Sequence, residues 1–447
     1  MLTPQRVVLS SFPTYAFGAD MSPRSRPRPG SFVAWIDFSE SDQRVARDCL
    51  QKLGQDEGTL DELGLGIMRD AFSALFFPGT STLMNNARYL IFVPTIFRHI
   101  EDRGLAGAEA ESLWIAMESQ LSRKLPPGEG TFGSRAIDHM IDRWPGEVYW
   151  RALINLGILL QDQSQAFYFD GLRDFHRKTL EAGQRTDDGT SLHVALSNWD
   201  RNFPYYRRDS RKGLLDGGDF RNGTNHTLLP EEAEYLRIRY LQLGRDDQRE
   251  RSSLMAFLLQ LNWAGPLDHP WDAPAGSDVD TEIGHARQLS LFGRGLTLLY
   301  HLMLVEARTE FKMPIVDPGL AGWAEEWFQV AAKELDSWDL EEFSRVMADL
   351  KGLRKGDLEF IASTLQRLKA APSASAMLSD HVLRGLIRVR EEKKRGPKRR
   401  LSGGRFLLNW KTPKNIGPFQ FNYRAPIGTT FVTQITEGRR TSMREES

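Results

Sequence analysis

The densest concentration of chemistry-bearing side chains lies between Arg384 and Arg400, in RGLIRVREEKKRGPKRR. Lys393, Lys394, Arg395, Lys398, Arg399 and Arg400 crowd six cations into eight positions, more than their neighbours can neutralise. Such repulsion is relieved by solvent or by a polyanion, and the expected partner is nucleic acid, held through its phosphates with strong salt dependence. From Arg384 to Lys414 there are 12 Lys+Arg and two Asp+Glu, a net of +10, whereas the rest of the chain holds 46 and 57, a net of −11. The formal charge of −1 therefore conceals one cationic element on a mildly acidic body, an asymmetry suited to a polyanion or to an acidic protein face. A solvated linker is the structural alternative, and nothing in the segment implies base readout.

Three other groupings have chemical potential. WDRNFPYYRRDSRK, from Trp199 to Lys212, interleaves Trp199, Tyr205 and Tyr206 with arginines, a pattern in which rings stack on bases while cations meet phosphates. The alternative is a loop pinned to the body by its rings, and the same loop is the expected contact of a protein-binding scaffold. Thr80, Ser81 and Arg88 follow a Pro78-Gly79 turn, where a helix start plus a guanidinium forms an anion pocket. The competing expectation is that Arg69 and Arg88 pair with Asp61, Asp70 or another carboxylate, since charge near a core must be compensated. His269-Pro270-Trp271-Asp272 is the one loop that sets a histidine beside a carboxylate, and with Arg88 it defines a hydrolase or nuclease alternative with a loop-built site.

Enzyme status stays open, because the standard signatures are missing. The sequence contains no GxxxxGK[ST], strand-linked GxGxxG, HExxH, GxSxG or paired CxxC. Nine scattered histidines and the single Cys49 form no metal-ligand spacing, so no metal and no cofactor are expected. The longest apolar runs, Ala71 to Phe77, Tyr89 to Phe97 and Leu254 to Leu261, fall well short of the roughly 20 residues a membrane helix needs. The first thirty residues lack a hydrophobic stretch and end in an Arg/Pro/Ser tract, which predicts a flexible leader and a cytoplasmic protein without membrane contact.

The elements that must position these groups are helical. Apolar residues at three- and four-residue spacing predict helices over 59–77, 109–124, 167–182, 231–243, 252–262, 281–308, 320–336, 340–350, 357–368 and 378–392, with another starting at Thr80 to Thr82 and containing Pro94. Gly293 and Gly295 mark a close helix approach. SFVAWIDFSE near the start and FLLNW, FQFNYR and TTFVTQIT near the end predict short strands. The expected fold class is mainly α, a multi-helix body with a few short strands near the N-terminal entry and the C-terminus. The expected organisation is a leader (1–30), an N-terminal helical domain (31–185), an aromatic and basic loop region (186–229), a C-terminal helical domain (230–392) and a basic segment with a short-strand tail (393–447).

ELGLGIMRDAFSALFFPGTSTLMNNARYLIFVPTIF, from Glu62 to Phe97, resembles the bacterial family called domain of unknown function 6361. VYWRALINLGIL, LSNWDRNFP, LLPEEAEYLRIR and HARQLSLFGRGLTLLYHLMLVEA extend the resemblance from about Ser31 towards the C-terminus. Asn85-Asn86-Ala87 stands where that family carries a basic residue before Arg-Tyr. The resemblance brings no catalytic residues. It implies an accessory protein of antiphage gene neighbourhoods, with a helicase or nuclease as partner protein.

Overall fold

Met68, Phe72 and Phe76 share one face of α1 (Gly66–Phe76), and burial of that stripe is what makes the segment helical. The computed structural model describes residues 63–128, 130–133, 143–183, 196–204, 225–243, 252–314, 319–410 and 420–445. These residues lie within one unit, Thr59–Ser447. After α1 come α2 (Tyr89–Asp102), α3 (Gly107–Lys124), α4 (Pro145–Asn155) and α5 (Gln165–Gly183). Helix α2 packs on α3 and α4, and α3 packs on α5. Phe97 of α2 sits amid Trp114, Trp150, Tyr168, Phe169 and Trp199, with ring centroids 5.1–6.1 Å away.

Helices α6 (Pro230–Gln242) and α7 (Leu254–Gln260) lead to α8 (Asp280–Glu310), whose 31 residues run for about 46 Å at the usual helical rise. Buried residues cover most of the circumference of α8 around Leu289 to Leu299, as expected of a helix enclosed by others. The close approach expected at its glycines is present: a Cβ on Gly295 would come within 2.2 Å of the Trp327 ring. That ring belongs to α9 (Leu320–Glu334) and donates its indole N–H to Leu291 O at 2.8 Å. Then follow α10 (Leu340–Asp349), α11 (Asp357–Ala370), α12 (Ala374–Ser379), α13 (His381–Arg395), the four-residue α14 (Arg405–Leu408) and α15 (Ala425–Glu445).

Three expectations need correction. No strand occurs among the described residues, where the only extended pairing is an antiparallel bridge between Leu159 and Trp199. TTFVTQIT is part of α15, and Phe406 to Leu408 form most of α14. The β-branched run misleads because Ala425, Thr429, Val432 and Ile435 recur at helical spacing and are buried, while α15 packs on α6 and α7. Tertiary burial overrides local propensity there. The expected N-terminal strand lies outside the described residues.

The second correction concerns Thr80 to Thr82, which begin no helix. Thr80 donates its hydroxyl to Phe77 O at 2.6 Å, and α2 starts only at Tyr89. The phenol of Tyr149 holds the intervening turn, donating to Asn86 O at 2.7 Å and accepting the Asn85 and Asn86 amides at 3.3 and 3.2 Å. In the third, the helix expected over 378–392 divides at Asp380. The Asp380 carboxylate caps α13 by accepting the Val382 and Leu383 amides at 2.8 and 3.0 Å.

Candidate functional site

The basic segment is built on α13, which packs against α8, α11 and α12. Its inward face carries Leu383 and Ile387, together with two charged residues, Arg390 and Glu391, that are enclosed. Arg390 donates to Asp357 Oδ1 at 2.6 Å and to Leu63 O at 2.7 Å, and it lies 4.7 Å from the centre of the Phe360 ring. Burial pushes the Asp357 carboxyl up, but the Arg390 hydrogen bond, the Arg354 amide and the charges of Arg390 and Lys394 outweigh it and leave Asp357 below its ordinary range. Lys394 is drawn to the same carboxylate, at 3.4 Å.

Glu391 shapes the turn after the helix. Its carboxylate accepts the Tyr300 hydroxyl at 2.7 Å, the Arg400 amide at 2.7 Å and the Leu401 amide at 3.1 Å. The chain leaves α13 at Gly396, makes a short turn of 3-10 helix (Gly396–Lys398), and returns so that 400–401 rest on the helix that precedes them. Gly403 then passes Phe311 with φ +83°, where a Cβ would lie 2.4 Å from the ring. The positive φ there favours glycine. Beneath this return His301 is buried 5.4 Å from Trp410, and burial together with the Arg400 charge pushes its imidazole down to about 3. His301 is therefore neutral at physiological pH.

The return encloses an open cleft of about 560 Å³, whose lining includes Glu392, Arg399, Ser402, Arg405 and Phe406. The Arg399 guanidinium donates to Glu392 Oε1 at 2.9 Å and to Ser402 Oγ at 3.0 Å. Arg405 lies over the Phe406 ring at 4.8 Å. Lys393, Lys398 and Arg405 are exposed and have no carboxylate partner among the described residues. Arg395 donates to Lys398 O at 3.0 Å. Of the six predicted basic residues, Lys394 thus serves the core, Arg399 lines the cleft, and Lys393 and Lys398 are exposed next in sequence to lining residues. Ser402, Arg405, Phe406 and Glu392 were missing from the expected set. The Gly403-Gly404 pair just after the cations was the sequence signal for a turn that brings them together.

The other candidates are occupied by structural work. Arg88 is enclosed and forms a forked contact with Glu232 at 3.0 and 3.3 Å, and it donates to Asn225 O and Oδ1 at 2.9 Å. Thr80 gives its carbonyl to Arg424 at 2.8 Å. The described partners of Thr80, Ser81 and Arg88 therefore assemble no shared anion pocket. Trp199, expected to stack on bases, is fully enclosed and donates to Glu101 at 3.0 Å, beside Tyr168 and Asn198. Tyr205 and Tyr206 lie outside the described residues. His269 stacks on Trp271 at 4.6 Å, and its amide is capped by Asp272 at 2.9 Å, which accounts for both members of that pair as a turn. Arg69 pairs with its neighbour Asp70 at 3.1 Å. No cluster of three metal-ligating side chains occurs among the described residues.

The described residues thus form a helical body with a cleft lined by Arg399 and Arg405. Residues 30–185 match a family of unknown function, DUF6361, which supports the resemblance seen around Glu62 to Phe97. The basic segment and the similar stretches after residue 185 lie beyond that match. No curated protein and no solved structure matches the chain. Among the described residues, no helix is long and apolar enough to cross a membrane.

Proposed function

We propose that this is a nucleic-acid-associated accessory protein of the bacterial cytoplasm, which grips a phosphate backbone at the cleft formed by 392–406. One observation carries the reading: Arg399 and Arg405 line the same open cleft with Ser402 and Phe406, while Lys393 and Lys398 are exposed next in sequence to lining residues, without carboxylate partners among the described residues. Guanidinium groups take phosphate oxygens in a forked geometry, and a half-buried ring beside cations, as Phe406 is, offers an edge for an unpaired base. An accessory place beside a helicase or nuclease in antiphage defence is part of the same proposal; the matched family is itself of unknown function. The rest of the chain has a net charge of −11, so this element is the most concentrated positive segment with which the protein could meet a polyanion.

The test is fluorescence anisotropy with labelled single-stranded and duplex DNA at low salt. Replacing Lys393, Lys398, Arg399 and Arg405 together by Gln is expected to weaken binding at least about tenfold, because several phosphates are left without a cation. Unchanged affinity overturns the proposal.

A further inference from the structure

The two adjacent acids of α13 have opposite roles. Glu391 is buried and holds two backbone amides, whereas Glu392 stands at the cleft with its carboxylate on Arg399 at 2.9 Å. We propose that Glu392 is a built-in competitor, an intramolecular stand-in for phosphate that occupies Arg399 until a nucleic-acid phosphate displaces it. This role rests on the function proposed above.

Three features support the assignment. Glu392 and Arg399 are seven residues apart and meet only because the 3-10 turn and the Glu391 anchor fold the chain back. The Arg399 donors in use, Nη1 to the carboxylate and Nε to Ser402 Oγ, are the kind that a phosphate oxygen and a neighbouring hydroxyl would take. Both side chains are substantially exposed, 61 % for Glu392 and 43 % for Arg399, so their exchange with a ligand requires no opening of the core. An ion pair in that setting is weak enough to break. The arrangement favours ligands with repeated phosphates over lone carboxylates, since a phosphodiester strand can meet Arg405 in the same cleft while displacing Glu392 once.

The experiment is a double-mutant cycle on the full chain, with a short labelled single-stranded DNA as probe. Glu392→Gln is expected to tighten binding about two- to fivefold, the range that an exposed ion pair can withhold. In the Arg399→Gln background the same substitution is expected to give no gain. An equal gain in both backgrounds shows that only net charge changed, and no gain in either shows that Glu392 does not compete; each overturns the proposal while leaving DNA binding itself standing. Failure of the unaltered protein to bind DNA overturns both this inference and the function on which it rests. Matching denaturation midpoints for the four proteins establish that folding is unaffected.

Discussion

Arg88 and Arg399 each face a glutamate at nearly the same distance, 3.0 and 2.9 Å, yet they belong to different kinds of site. Arg88 and Glu232 are 2 % and 0 % exposed, and Asn225 accepts two further guanidinium hydrogen bonds, so the pair is part of the core. Arg399 and Glu392 are open to solvent at the mouth of a cleft, where screening and competing water make the same contact exchangeable. Distance alone does not separate a structural ion pair from a ligand site. Burial and the further hydrogen bonds around it do.

Truncating the enclosed arginine should have the largest effect. Arg88→Ala leaves Glu232 buried without its cation and is expected to cost about 3–5 kcal/mol by urea denaturation. Arg399→Ala should cost under about 1 kcal/mol in the same measurement. A similar cost at the two positions would break the comparison.

Glu118 sharpens it as the case of a buried acid without a cation among the described residues. Its Oε1 accepts the Gly146 amide at 2.8 Å, Oε2 has no hydrogen-bond partner among the described residues, and burial pushes the carboxyl up from 4.5 to about 8. The fold favours the protonated form, so this contribution is complete below pH 4.5 and declines as pH rises towards about 8. Between those limits the unaltered protein should lose up to about 1.4 kcal/mol per pH unit relative to Glu118→Gln. Parallel stability-versus-pH curves for the two proteins would contradict the assignment.

A smaller loss is expected at Glu391, which belongs to the core but serves the cleft. Glu391→Ala removes the acceptor of two amides and a phenol, and should cost about 1–3 kcal/mol. It should also weaken DNA binding although the side chain never reaches the surface. Stability loss with intact affinity would separate the anchor from the cleft.

Much of the body was legible because apolar spacing determines helices: α3, α8 and α9 are close to where periodicity puts them, whereas α1 starts at Gly66, after a turn at 63–65, instead of at Thr59. The ends and exceptions were not, for physical reasons. Asp380 ends one helix and caps the next, and a capping residue looks like any exposed acid until its amide partners are known. TTFVTQIT has the composition of a strand, and only packing against α6 and α7 makes it helical. In the candidate site the cations were evident from composition. The division between Lys394, which serves Asp357, and Arg399, which lines the cleft, depends on a chain reversal held by Glu391. Trp199 shows the reverse error, an aromatic among arginines whose ring belongs wholly to the core.

Phosphate binding at the cleft is tested most directly by the salt dependence of DNA affinity, measured for the unaltered protein and for the variant with Lys393, Lys398, Arg399 and Arg405 all replaced by Gln. The unaltered protein should show a steep fall in log affinity against log salt. The variant should show a shallower slope, by about 0.7–0.9 for each phosphate it no longer neutralises. Equal slopes for the two proteins would contradict a phosphate-binding cleft.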